Sequence, residues 1–535
     1  MVEPAALHPT TDDELSVSSF FAAFAPAPDW SELPRWPPDL FALANLVLDN
    51  TGAYRFVVAP PPGKRWPPIP DWGTQMRRAG RAWREAADHG GRLPALVRRN
   101  WDIVTRNRDL PLASVRNGEA TELIGALLAL HALADEACAE IAASGRRASP
   151  ASFESFGWSL LQQHGSLSRI SPTRVRIVPK NHFSTRGMTI RSLSRHLALC
   201  YEAVDLKWGS IGPGPSAERD DYNIVLVPWP LDVRSCDFHA VPSPLLENMD
   251  PELFGFFEFA PAPSLNHDLV GELLAAATDR VERVDAVIFP ESAIHPEAIA
   301  PLESILAEHG ATFLIAGVRG RPDEATMGRN YLHFGVRTNS GWRCYEQDKH
   351  HRWCLDERQI RQYHLSRSLT PTKLWWEAIH VGERRLHVID VGGGITTVPT
   401  VCEDLASLDE VAEMVRRVGP SLVVAVLLDG PQLARRWPCR YSSVLTDDPG
   451  AAVLTLTSYG MAARSRPPGR RNSRVVAHWN SPTDGLHEIE LGPRASAVLV
   501  STKVEQTTAW TADGRRHEDV PSLALSRVEQ LRASR

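Results

Sequence analysis

Apolar residues recur at helical spacing through residues 120–143 (ATELIGALLALHALADEACAEIAA), which predicts a helix buried on most of its surface. Residues 72–206 follow mainly helical patterning around it, with an alternating strand at 174–177 and a basic helix over 188–200. The segment IGPGPS at 211–216 marks a boundary. Beyond it, short β-rich runs alternate with helices. Strands are predicted at 222–227, 285–289, 312–318, 331–336, 385–391, 397–401, 421–428, 452–457, 474–479 and 497–501. Helices fit at 267–279, 296–309 and 408–418, and many strands with segregated helices indicate a large α/β sandwich. The expected organisation is a mainly helical domain over 1–210, the sandwich over 221–505, and a tail with one short helix over 506–535.

Proline changes the picture at the N-terminus. Residues 1–75 carry APAPDW, RWPPDL and PPPGKRWPPIPDW, which predicts extended chain wrapped over a core rather than long helices. A hydrophobic content of 43% and a charged content of 23% are globular values, and 535 residues exceed one ordinary domain. Seven scattered cysteines argue against a disulfide scaffold, and no CxxC pair suggests a zinc site. Cys138, on the apolar helix, is expected to be an inert buried thiol. The first residues lack a basic and apolar leader pattern, and the apolar run 123–134 is too short to span a bilayer. A soluble cytoplasmic protein without membrane contact is expected.

The net charge of −6 excludes a chain that is basic throughout. Locally, no acid lies between Ser155 and Tyr201, while Arg169, Arg174, Arg176, Lys180, Arg186, Arg191 and Arg195 supply cations. A second basic group comprises Arg464, Arg466, Arg470, Arg471 and Arg474. Either group could contact nucleic acid or form a solvated face.

Three places set reactive side chains at strand ends. In VDAVIFPES an apolar run ends at Pro290 and Glu291, where the carboxylate is either functional or a helix-entry acid. In YEQDKHHRWCLDE, Lys349 is followed by Glu357. His350 and His351 between them are adjacent, so they point apart and do not readily share one metal ion. In TTVPTVCEDL, Cys402 closes a strand, and Ser407 with Glu410 has capping-box spacing, so a helix is expected to follow. Backbone N–H groups there can steady an oxyanion, and the helix dipole favours a thiolate.

Together these motifs resemble the carbon–nitrogen hydrolase (nitrilase) superfamily, whose catalytic set is Glu, Lys and Cys in that order. FPES with Glu291 is similar to its general-base motif. VCEDL with Cys402 is similar to its nucleophile motif, especially the CED form of the glutamine-hydrolysing domains of NAD synthetases. Lys349 resembles the family lysine, with Lys373 in TPTKLWW as the alternative, and Glu357 matches the spacing of an auxiliary glutamate. The resemblance covers residues 221–505. Through LADEAC at 133–138, WWE and LLDGPQLARRW, the chain also resembles nitrilase-like proteins associated with bacterial reverse transcriptases in phage defence. It has no YxDD signature, so any such polymerase would be a separate chain.

The resemblance implies an α-β-β-α four-layer sandwich preceded by the mainly helical N-terminal domain, and dimers paired through outer helices. It implies hydrolysis of an amide, carbamoyl or nitrile carbon–nitrogen bond through a thioester on Cys402, without metal or organic cofactor. Glu291 would be the base, Lys349 the oxyanion donor and Glu357 the group that positions substrate or fixes the lysine charge. The competing reading is a binding module that contacts nucleic acid or a reverse-transcriptase partner through its basic N-terminal half.

Overall fold

The computed structural model describes the chain outside residues 1–14, 25–31, 140, 142–151, 184–186, 202–203, 211–220, 243–247, 263, 321–326, 393, 407–409, 466–471 and 534–535. Ser407, Arg186, Arg466, Arg470 and Arg471 therefore lie outside the described residues. The chain divides into two compact units. One comprises Met1–Ala203, Arg416–Gly419 and Gln506–Val520; the other comprises Val204–Val415, Pro420–Glu505 and Pro521–Arg535.

The first unit is built on the helix Thr121–Ala137, buried on almost every side and packed against helices Pro37–Thr51, Trp72–His89 and Ala95–Arg106. Leu123, Leu127, Leu130 and Leu133 are each no more than 1% exposed, as the apolar patterning predicts. The Pro-rich N-terminus departs from the expected extended wrap. Pro37 and Pro38 open a buried 15-residue helix, because the first helical turn needs no N–H partner and proline's fixed φ suits it. The expected basic helix at 188–200 is also replaced. A short 3-10 turn at Ile190–Leu193 leads into strand Leu197–Cys200, which pairs with Arg176–Pro179. Cys138 is fully buried.

Arg515, fully buried, lies at the polar centre of this unit. Its guanidinium donates to Asp513 at 2.8 Å, Asp135 at 2.9 Å, Glu136 at 2.8 Å and the Leu193 carbonyl at 2.5 Å. Asp135 also accepts the backbone N–H groups of Arg195, His196 and Leu197. Burial opposes ionisation of Asp135, but the Arg515 charge and these donors hold its carboxyl well below the usual range. Residues 506–520, expected as part of a tail, thus belong to a core. They lie on strands Ala497–Trp510 and Arg516–Leu531 and the turn between them, so the terminal segment is strand rather than a short helix.

Part of the basic segment is spent inside this unit. Lys180 is buried and donates to the Arg191 carbonyl and Ser194, Arg195 is buried, and Arg169 pairs with Asp39 at 2.7 Å.

In the second unit, two seven-stranded sheets share one apolar core, to which Ile224, Ile288, Ile315 and Phe334 contribute from one sheet and Val401, Val424, Leu454 and Trp479 from the other. The first sheet runs in the order Gly341–Asp348, Arg329–Thr338, Phe313–Gly320, Ala286–Ile294, Asp221–Leu226, Ala497–Trp510, Arg516–Leu531. The second runs Gly485–Glu490, Val475–Ser481, Ala452–Thr457, Leu422–Leu427, Thr396–Val401, Arg385–Asp390, Asp205–Ser210. Each has three parallel strands near its centre, 221–226, 286–294 and 313–320 in one and 396–401, 422–427 and 452–457 in the other. Helices cover the outer faces. Leu273, Leu274, Leu302 and Leu306 of helices His267–Thr278 and Ile299–Glu308 pack on the first sheet, and helix Trp437–Asp447 packs on the second. This is the α-β-β-α sandwich, with burial on both faces giving the central strands their nearly continuous apolar runs.

A smaller four-stranded sheet, Cys354–Leu355, Leu374–Glu377, Phe254–Phe259 and Phe238–Val241, has an aromatic core of Phe238, Phe257, Trp353, Tyr363 and Trp375. It was not expected from the sequence. Among the described residues, no helix is long and apolar enough to cross a membrane.

Candidate active site

Strand Ala286–Ile294 loses its regular register with Phe313–Gly320 after Phe289, and Glu291 sits in the irregularity. The glycine at 317 permits this. A Cβ there would stand 2.2 Å from the Pro290 carbonyl and 2.4 Å from Glu291 Cα, so only glycine lets the two backbones approach. Glu291 is fully buried and accepts three hydrogen bonds. Its Oε1 accepts from Asn330 Nδ2 at 2.7 Å and Lys349 Nζ at 2.8 Å, and its Oε2 accepts from Leu428 N–H at 2.6 Å.

Lys349 follows the edge strand Gly341–Asp348 and is fully buried. Besides Glu291, its Nζ donates to Glu377 Oε2 at 2.7 Å. Glu377, at the end of Leu374–Glu377 in the small sheet, also accepts from Asn330 Nδ2 at 2.7 Å and Trp353 N–H at 3.2 Å. Asn330 thus bridges the two carboxylates that hold the lysine. An ammonium has three donors, so two bonds leave one N–H for another acceptor.

Cys402 ends strand Thr396–Val401 and opens the 3-10 turn Cys402–Leu405 with φ at +46°, a strained backbone for a residue with a Cβ. It is 3% exposed. The turn is tied to the lysine segment, because Asp404 accepts from His351 Nδ1 at 2.9 Å and from His350 N–H at 3.4 Å. The adjacent histidines therefore brace the cysteine turn.

Burial pushes the Glu291 carboxyl above its ordinary 4.5, outweighing the Lys349 charge, and Glu377 adds to the rise. Burial alone would lower Lys349, but the charges of Glu291, Glu377 and Cys402 hold it well above 10.5. Burial and the Glu291 charge push the Cys402 thiol well above 9.0, against the pull of Lys349. The resting arrangement is a neutral thiol beside a lysinium held by two carboxylates.

Glu291 and Lys349 are bonded and their charges act on Cys402, whereas Glu357 stands outside. Asp356 caps the helix Glu357–Gln362, and Glu357 stands in its first turn, 61% exposed and paired with Arg361. An acid is favoured there by the unsatisfied N–H groups, and the carboxylate that contacts the lysine is Glu377. Lys373 is also elsewhere, donating to the Pro251 carbonyl. Arg464 and Arg474 of the second basic group are bonded to backbone carbonyls of Val233, His364, Leu491 and Gly492.

Sequence reasoning missed Asn330, Glu377 and Asp429. The lone acid after two tryptophans in LWWE was the available signal for Glu377. Asp429, in LLDGPQ, accepts from Tyr363 OH at 2.5 Å and Arg436 at 2.6 Å, and its charge reaches Cys402.

No protein-family model and no curated protein matches the chain. Among solved structures, the chain is similar to Saccharomyces cerevisiae Nit3, a member of branch 10 of the nitrilase superfamily, at 11% identity, over 53% of this chain and 90% of that one, with a TM-score of 0.34. It is similar to a carbon-nitrogen hydrolase from Helicobacter pylori G27 at 9% identity, over 57% of this chain and 88% of that one, with a TM-score of 0.29. It is also similar to the C. elegans NitFhit protein at 12% identity, over 53% and 60% of the two chains, with a TM-score of 0.34.

Proposed function

We propose that the second unit is a thiol-dependent hydrolase of amide, carbamoyl or nitrile carbon–nitrogen bonds. The observation that carries this reading is the convergence of Glu291, Lys349 and Glu377, all buried and joined by bonds of 2.7–2.8 Å, beside a buried cysteine held at positive φ. Buried charge is costly, and a stability role alone would be served as well by apolar packing.

On an amide, Cys402 Sγ attacks the carbonyl carbon as Glu291 takes the thiol proton. The carbonyl oxygen becomes an oxyanion, which accepts the remaining Lys349 N–H and the backbone N–H of Glu403. One such donor lowers the barrier by about 3 to 4 kcal/mol. Glu291 passes the proton to the departing nitrogen, the C–N bond breaks, and a thioester remains. Water then attacks the thioester, giving a proton to Glu291; the C–S bond breaks, Glu291 returns that proton to the departing sulfur, and the acid is released. Glu377 positions the lysine and keeps it charged. None of these steps calls on a metal or organic cofactor.

The test is release of ammonia and acid from a panel of amides, carbamoyl compounds and nitriles, followed against pH. Glu291 must be ionised to accept the thiol proton, and its carboxyl lies above 4.5. The acid limb of kcat/KM is therefore expected above that pH, with activity lost as pH falls through the raised value. A limb at or below 4.5 would contradict the raised Glu291 carboxyl. The two glutamates separate cleanly as well. Glu377→Gln should lower kcat/KM by about 10- to 100-fold, as loss of a group orienting a reactive partner does, while Glu357→Gln should leave it unchanged.

From the resemblance to nitrilase-like proteins of phage defence, we propose a bacterial antiviral system with a separate reverse-transcriptase chain as the setting of this activity. Co-purification from cells carrying both chains tests that setting, and sedimentation tests the implied dimer.

A further inference from the structure

On the outer face of the first sheet, a second constellation lies apart from the Cys402 site. His333 and Gly335 alternate onto one face of strand Arg329–Thr338, and Cys344 stands opposite Gly335 on the edge strand Gly341–Asp348. Helix Ile299–Glu308 lowers Glu303 into the notch that glycine leaves between the two side chains. A Cβ at 335 would stand 2.8 Å from Glu303 Oε1. That oxygen accepts from His333 Nε2 at 2.8 Å and from Cys344 Sγ at 3.1 Å, and the three ligand atoms lie within 4.8 Å of one another.

We propose that Glu303, His333 and Cys344 bind a zinc ion, with a fourth position open to solvent. Imidazole, thiolate and carboxylate are the donors zinc takes, and tetrahedral bonds of its usual lengths separate such atoms by about 3.4 to 3.6 Å. The ion replaces the two shared protons, and the contacts widen by roughly half an ångström. On binding, the thiol proton leaves to solvent, the imidazole binds as its Nδ1–H tautomer, and a Zn–S, a Zn–N and a Zn–O bond form without any redox change. Access is open, because Cys344 is exposed while His333 is nearly buried and gives the site a fixed wall. Glu346, on the same edge strand, adds negative charge near the thiol.

The position gives the ion a structural consequence. Strand 329–338 carries Asn330 and strand 341–348 runs directly into Lys349, so the ion clips helix 299–308 to the hairpin that positions both. The inference does not depend on the hydrolase reading.

The full chain, stripped with a chelator, is titrated with Co2+ and then with Zn2+. One equivalent of cobalt should produce a thiolate-to-cobalt charge-transfer band that zinc abolishes. The band should be absent in Cys344→Ser, a conservative change at an exposed position, and the affinity should fall at least about tenfold in His333→Ala. It should persist in Cys402→Ala, which separates this site from the nucleophile. Zinc should raise the melting temperature of the wild type and leave that of Cys344→Ser unchanged. Absence of the band in the wild type, or its survival in Cys344→Ser, overturns the proposal.

Discussion

Replacing Cys402 with alanine is expected to abolish carbon–nitrogen bond hydrolysis, a loss on the order of 10⁴-fold or more. The size follows from the reaction. Without the thiol no thioester forms, and Glu291 would have to activate water directly against a poor electrophile. Glu291→Gln should cost about 10²- to 10⁴-fold, because the neutral thiol beside it then has no base. The two losses should not add, since both variants fail at the same step. Initial rates of ammonia release on the best substrate of the panel, with folding checked by circular dichroism, make the comparison. Activity retained in Cys402→Ala within tenfold of wild type would contradict the assignment.

Arg515→Ala should destabilise the first unit by about 3 to 5 kcal/mol, the range for breaking a buried ion pair by removing one partner. Asp135, Asp513 and Glu136 would be left without the guanidinium that bonds all three, and each is at most 4% exposed on its side chain. Burial has already pushed Glu136 up to about 7 despite Arg515, so loss of the cation leaves it protonated and Asp135 poorly compensated. Arg516→Ala, one residue further along and 53% exposed, is the control and should change stability little. Urea unfolding of both variants measures the difference. Equal midpoints for the two would show that the Arg515 network contributes no net stability.

Much of the second unit was legible because its central strands are covered on both faces. LVVAVL at 422–427 and AVLTLT at 452–457 can sit nowhere but in a core. The small sheet was not legible, because FGFFEF and LWWE derive their order from packing on each other rather than from alternation. The site divides in the same way. Glu291 and Cys402 stand at strand ends, where apolar runs point to them, and their convergence with Lys349 needs only the sandwich. Glu377 reaches Lys349 from a strand that pairs with Phe254–Phe259, a contact no local spacing encodes. Glu357 had the expected spacing but lies in a capped helical turn, and local capping chemistry decided its place. Prolines 37 and 38 show the converse, since a residue that breaks helices in the interior starts one at its first turn.

The central claim is that Cys402 forms a covalent acyl intermediate, and intact-mass analysis after rapid acid quench tests it directly. With the best substrate of the panel, the wild type should gain the mass of the acyl group, located by digestion on the peptide containing Cys402, and Cys402→Ala should gain nothing. Turnover without any adduct at Cys402, or an equal adduct in Cys402→Ala, would contradict the account.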